Sequence, residues 1–296
     1  MSVVPAEADA DEAAADRGRA LPRRFSLANL VIDAVLVLFC VVMLLPLVFL
    51  ISNAFKTPQE ILAWPPSIIP KQPIISNFTS VLTTTPLLRW VGNSVLYAGL
   101  STICIVATSS VAGYIFAKFK FRSLQVIFMV FLATAIVPFE IYMIPLYFQA
   151  QQLHILNSIW GLLLGYLVMG FGIFLIKQNV EQSIPDELLD AARIDGASEI
   201  AIFTQIVLPL LRGALAALAV LAFFQAWTAF TWPLIVATNK NSYTAEVGLA
   251  LFQTGFTIDL GPLSAASTVV LVPSVVLFAI LRRNFVRGIT TTGLKE

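Results

Sequence analysis

The side chains whose types and spacing are most informative lie in one stretch, residues 183–209, SIPDELLDAARIDGASEIAIFTQIVLP. It sets five carboxylates, Asp186, Glu187, Asp190, Asp195 and Glu199, against one cation, Arg193. With no histidine or cysteine among them, such a cluster suits recognition of a partner rather than covalent catalysis. Elsewhere the inventory is thin. The sole histidine, His154, sits in a short loop with no carboxylate or nucleophile beside it. Cys40 and Cys104 fall inside apolar runs without metal-ligand spacing and read as small buried hydrophobes. No GxxxxGK[ST] phosphate loop occurs, which excludes ATP hydrolysis by that route, and no metal or cofactor of the chain's own is expected.

Two further groups could face a solute. Glu140 lies between Pro138 and Pro145. A carboxylate at membrane depth is costly and faces a cavity or a partner, and the prolines free backbone groups that protein or water must satisfy. The same residue is equally consistent with a helix that has already reached headgroup water. Gln225 and Thr228 stand in FFQAWTAFTWP, residues 223–233. Ring faces mixed with amide and hydroxyl groups are what sugars bind, while core packing and an outer aromatic belt account for the same composition.

The elements that must position these groups follow from local pattern. Ser183 followed three residues on by Asp186 is a capping-box spacing, and Pro185 falls in the first turn it would cap. Leu188, Ala191, Ala192 and Asp195 then share one thin face of a helix that Gly196 ends. A second short helix follows on Ile200, Phe203 and Ile206, and Pro209 opens the next apolar segment. A helix, a glycine break and a second helix can seat in a groove on a partner. An amphipathic helix lying on lipid is the competing reading. The acidic balance opposes it, because anionic headgroups would repel it, and an alanine stripe is poor at burying in acyl chains.

The rest is membrane. Hydrophobic residues make up 58% and charged residues 12% of 296, with a mean hydropathy of +0.87, which excludes a water-soluble globule. A net charge of +1 without a basic tract argues against nucleic acid. Residues 1–29, rich in Ala, Asp and Glu and then Arg, form a disordered tail. Six spans follow over 30–283: about Leu30–Ala54, Val91–Ala117, Leu124–Ala150, Ser158–Ile176, Leu208–Val236 and Ser264–Leu281, each near the length needed to cross a bilayer. The first is retained, not a cleaved signal. Trp64 and Trp90 are interface anchors, and glycines thin one side of the fourth span. With the N-terminus inside, the outer segments hold only Lys56, Lys71, Arg89 and Lys240 of the 18 Lys and Arg. That bias places both termini and residues 183–209 in the cytosol.

The run Asp190-Ala191-Ala192, three residues, Gly196, nine residues, Ile206, one residue, Leu208-Pro209 resembles the EAA loop of binding-protein-dependent ABC importer permeases. The wider wording is similar to the carbohydrate-uptake branch typified by the maltose permeases. The family's usual glutamate is aspartate at position 190, which keeps the charge and shortens its reach. The resemblance covers about residues 30–296, including the tail 284–296 on the cytosolic side.

It implies an all-α integral membrane fold of six transmembrane helices, the type I importer permease fold. It implies a non-enzymatic plasma-membrane subunit that pairs with a second permease, two ATPase subunits that bind ATP and Mg, and an extracytoplasmic solute-binding protein. Asp190, Ala191, Ala192, Asp195, Gly196, Ala197, Leu208 and Pro209 are the residues it places in coupling to the ATPases. The substrate implied is a sugar; a phosphorylated polyol such as glycerol 3-phosphate is the alternative within the family. Outside it stand an ion-coupled secondary transporter, for which Glu140 is the lone deep carboxylate, and a non-transporting assembly subunit.

Overall fold

The computed structural model describes residues 27–254 and 257–290. Two compact units are distinguished, one ending at Phe49 and one beginning at Leu50. The helix α1, Leu27–Asn53, runs without a break and carries an apolar stretch of mean hydropathy 3.2. The second unit opens with two short helices, α2 (Pro58–Ile61) and α3 (Ser76–Thr84), joined by a proline-rich loop. That loop closes on polar groups: the Asn77 amide donates to the carbonyls of Ala54 and Lys56 at 3.0 and 2.9 Å, and buried Lys56 donates to Asn53 and to the Ser67 carbonyl.

The central element is α4, Leu87–Lys118. Its buried face is built largely from small residues, among them Ser94, Ser101, Ser109, Ser110 and Gly113, so other helices approach it closely. Thr102, Thr108 and Ser110 return their hydroxyls to carbonyls one turn back, which lets polar side chains sit in an apolar helix. After α4 come α5 (Arg122–Thr134), α6 (Phe139–Gln152), α7 (Ile159–Leu164), α8 (Gly170–Ser183), α9 (Asp186–Ile194) and α10 (Glu199–Ala201). A π-helical turn over Ile202–Val207 leads into α11 (Leu208–Leu210), α12 (Arg212–Trp227) and α13 (Thr231–Val236). A 3-10 turn, Lys240–Ser242, precedes α14 (Ala245–Ala250); a two-residue hairpin, β1 (Gln253–Thr254) with β2 (Thr257–Ile258), leads to α15 (Leu260–Thr290).

Packing of α4 against α8 and α12, and of α12 against α15, makes two cores. One surrounds Trp90, Tyr97, Trp227, Trp232 and Ala266; the other joins Tyr114, Ile176, Val180 and Leu218 to Leu189, Ile202 and Val207 of the acidic loop. A Cβ on Gly172 would lie 2.6 Å from the Ser109 hydroxyl and 3.0 Å from Leu218, so the α4–α8–α12 approach depends on that glycine.

The all-helical class holds apart from that hairpin, but the spans are less regular than their composition suggests. Among the described residues, three helices are individually long and apolar enough to cross a bilayer, within Asn29–Asn53, Leu87–Lys118 and Leu260–Ile280. The expected third span is two helices, α5 and α6, bent by 100°. Pro138 has no N–H to continue the first ladder and pushes Val137 out of helical geometry, whereas Pro145 is accommodated inside α6. The fourth is split at 165–169 and runs on to Ser183. The fifth turns by 77° at Leu211, beyond Pro209, and breaks again at Thr228.

Other expectations are corrected. Trp90 is fully buried, its indole N–H donating to the Lys240 carbonyl at 2.7 Å, so it anchors the core and not the interface; Trp64 is exposed. Cys40 is exposed and Cys104 half-buried, and neither forms a disulfide. The expected tail from 284 remains helical to Thr290. The N-terminal tail, up to residue 26, and positions 291–296 lie outside the described residues.

Candidate functional site

The acidic loop is a built surface. Ser183 closes α8 and does not cap the next helix; α9 starts at Asp186 with Pro185 in the N-cap position and no side-chain cap. What holds that start is charge. Asp186 accepts from Lys118 at 2.5 Å and from Lys120 at 3.1 Å, and Lys118 also donates to the Ile184 carbonyl. Hydrogen bonds from the two lysines hold the Asp186 carboxyl below the usual carboxylate range.

At the other end, Gly196 has φ +84°. Its N–H donates to the Arg193 carbonyl, and that of Ala197 to the Ala192 carbonyl, both at 3.0 Å. This is a Schellman ending, which needs a left-handed residue at Gly196 and satisfies two terminal carbonyls of α9. Ser198 caps α10 with its hydroxyl. The next turn departs from the expected 3.6-residue spacing: in the π turn Ile202 and Val207, five apart, share the buried side, while Phe203 and Ile206 are only half-buried.

Asp190 is exposed and accepts from Arg193 at 2.7 Å; Ala191, Asp195 and Gly196 are exposed. Ala192 and Ala197 are half-buried against the core, and Leu208 and Pro209 stand beyond the π turn. Leu189, fully buried, is what seats α9 on the protein. Three large apolar side chains of the loop point away from it: Leu188, Ile194 and Ile200, the last two 86% and 78% exposed. Composition alone undervalued Ile194, because it lies off the Leu188–Ala191–Asp195 face. Among the described residues Glu187 and Asp195 form no ion pair, so exposed isoleucines flanked by free carboxylates form the outward surface. Exposed apolar groups with a polar rim mark a protein contact.

The second site is a cavity of about 770 Å³. The broken stretches between α5 and α6 and between α7 and α8 both line it, and a Cβ on Gly170 would come within 3.0 Å of Ala135. Unwound backbone is tolerated at membrane depth where it borders such a space. Phe131, Phe139, Tyr142, Tyr166, Thr134 and Gln225 give it aromatic faces, hydroxyls and an amide, and no charged side chain among the described residues lines it. Of the sequence-derived path residues only Gln225 does. Glu140 is exposed in the first turn of α6, beside the lining residue Phe139. Thr228 returns its hydroxyl to the Phe224 carbonyl at 2.8 Å, ending α12. Phe223 and Trp227 stack in the core at 5.6 Å, and the Trp232 N–H donates to the Leu162 carbonyl, so these rings serve packing. Tyr142 and Tyr166 were not singled out in sequence; their place beside Pro138 and Gly165, at the two breaks, is the signal that could have found them.

Comparison with known proteins agrees with this architecture. Residues 109–291 match the family described as binding-protein-dependent transport system inner membrane component. The chain is 34% identical over 253 residues to the arabinooligosaccharides transport system permease protein AraQ of Halalkalibacterium halodurans, covering 84% of this chain and 90% of that one. It is 28% identical to the diacetylchitobiose uptake system permease protein NgcG of Streptomyces coelicolor, over 90% of this chain and 88% of that one. It is 31% identical to the sn-glycerol-3-phosphate transport system permease protein UgpE of Escherichia coli, over 86% and 93%. Among solved structures, a chain of a bacterial ABC transporter that imports the acidic polysaccharide alginate shares the fold, with a TM-score of 0.73 at 19% identity, covering 90% of this chain and 99% of that one. The chain therefore belongs to the binding-protein-dependent transport system inner membrane components, the permease subunits of ABC importers, whose ATP hydrolysis resides on separate subunits.

Proposed function

We propose that this permease carries a neutral sugar or short oligosaccharide, and that residues 183–209 dock on an ATPase subunit. The observation that carries the substrate reading is the cavity lined by aromatic rings, hydroxyls and Gln225, with no charged side chain among the described residues. Rings cover the CH faces of a sugar and neutral polar groups meet its hydroxyls, whereas a phosphate ester wants a fixed cation. The relatives named for arabinooligosaccharides and diacetylchitobiose support it; the glycerol-3-phosphate relative keeps that substrate as the second reading.

The lysine and arginine bias supports a cytosolic loop and cytosolic termini. A second permease in the membrane, two ATPase subunits holding ATP and Mg on the cytosolic side, and a solute-binding protein on the far side complete the importer. Closure of the ATPases would push on the loop through Ile194, Ile200 and the Asp190–Gly196 face, and the bundle would alternate between inward- and outward-facing states. Nucleic acid has no part in this, and lipid is the surrounding solvent. An ion-coupled carrier has little support, since Glu140 stands exposed at a helix start.

Uptake of radiolabelled arabino-, chito- and malto-oligosaccharides and of glycerol 3-phosphate by the assembled importer tests the reading. ATP-dependent uptake of a neutral sugar is expected. Uptake of glycerol 3-phosphate alone, or uptake that follows an ion gradient without the ATPases, would overturn it.

A further inference from the structure

The two short helices of the acidic loop are fastened to each other and to α4 by one line of polar contacts. Arg193, in the last turn of α9, reaches across the Gly196 turn. Its Nε donates to Glu199 Oε1 at 2.7 Å and its Nη1 to Asp190 Oδ1 at 2.7 Å. The other carboxylate oxygen, Glu199 Oε2, accepts from the Tyr114 hydroxyl at 3.0 Å. Tyr114 belongs to α4, one turn from its end, and is 4% exposed, its ring against Phe119 and against Phe203 of the π turn. Further along α4, Ile105 lines the cavity. A single unbroken helix thus runs from the loop to the cavity.

Stability does not account for this line. Arg193, Asp190 and Glu199 are all more than a third exposed, and ion pairs so placed contribute little to folding. The Tyr114 ring would pack equally well as phenylalanine, so the hydroxyl is surplus to the core. What the line does is geometric. Beyond the two backbone hydrogen bonds of the Gly196 turn, it ties α9 to α10 by side chains across a glycine whose Cβ position is open, no atom lying within 4 Å, and it hands the angle between them to α4.

We propose that Tyr114, acting through Glu199 and Arg193, is a positioning residue that transmits movement of the loop into α4 and thereby sets how tightly ATP hydrolysis is coupled to transport. This rests on the reading of the loop as the ATPase-docking element. Nothing in the family match or the relatives' names assigns such a role to these residues.

The test uses the complete importer in proteoliposomes, with ATPase rate and uptake measured on the same preparation for Tyr114→Phe, Glu199→Gln and the double variant. Tyr114→Phe should assemble, bind the ATPases and melt as the wild type does, while substrate imported per ATP hydrolysed falls about three- to tenfold. Glu199→Gln should do the same, and the double variant should lose no more than the worse single, as members of one line must. A wild-type ratio in Tyr114→Phe, or single losses that multiply in the double, would overturn the proposal. So would a lower melting temperature or lost assembly in Tyr114→Phe, which would make the hydroxyl structural. A separate control isolates the underlying reading: a cysteine at Ser198 should cross-link to an ATPase subunit. Failure there, in protein that still transports, would remove the docking reading and this proposal with it.

Discussion

At the residue scale, Gly196 was legible in the sequence and Arg193 was not. A glycine after a helical pattern with no other breaker predicts a left-handed ending, and φ +84° is that conformation. The Arg193–Glu199 pair is six residues apart, a spacing that meets on no regular helix. Only the Gly196 turn folds α10 back so that the two touch. That contact also reassigns the loop's charge: with Asp186, Asp190 and Glu199 paired, the free acids are Glu187 and Asp195, and Arg193 holds the Glu199 carboxyl below its ordinary range. Because no atom lies near the Cβ position of Gly196, any side chain there meets only backbone strain, about 1 kcal/mol or somewhat more. Gly196→Asp should therefore leave the membrane bundle folded while shifting α9 against α10. Co-purification of the ATPases should weaken, or hydrolysis should run without matching uptake. Normal binding together with a wild-type transport rate would show that Gly196 is not a hinge.

At the element scale, composition located the membrane segments and Pro138 located one of the breaks. It could not give the 100° turn between α5 and α6, because Pro138 permits a bend whose size is set by packing around the cavity. Nor could it reveal the π turn. Periodicity of 3.6 joins Ile202 with Ile206, whereas five-residue spacing joins Ile202 with Val207, and only packing against Tyr114 and Val180 decides between them. The two registers make opposite mutational forecasts. Val207 is fully buried and Ile206 half-buried. Val207→Ala should cost roughly 2 kcal/mol of local stability and Ile206→Ala clearly less. Hydrogen exchange across residues 199–211 in the assembled importer would read both. A larger loss of protection in Ile206→Ala would return this turn to an α-helical register.

At the scale of the whole molecule, two independent lines meet on sidedness. The lysine and arginine bias assigned Lys118, Lys120 and Arg193 to one side and Lys56, Arg89 and Lys240 to the other. The fold groups the same residues without reference to charge. Lys118 and Lys120 meet Asp186 at the loop end of α4, while at the opposite end Trp90 donates to the Lys240 carbonyl and Asn93 to those of Asn241 and Tyr243. The two groups therefore stand at opposite ends of a helix long and apolar enough to cross a bilayer, and sidedness turns on which end faces the cytosol. Ser198 is suited to answer it, being exposed at the cap of α10 and outside every apolar helix. The exchange removes one capping hydroxyl, at a cost of about 1 kcal/mol confined to a three-residue helix. In a background with Cys40 and Cys104 replaced by alanine, Ser198→Cys should resist a membrane-impermeant maleimide added to intact cells and react in inverted vesicles. A cysteine at Asn241 should show the reverse pattern. Labelling of position 198 from outside would invert the chain, put the loop out of reach of any cytosolic ATPase, and leave its exposed isoleucines in need of a different partner.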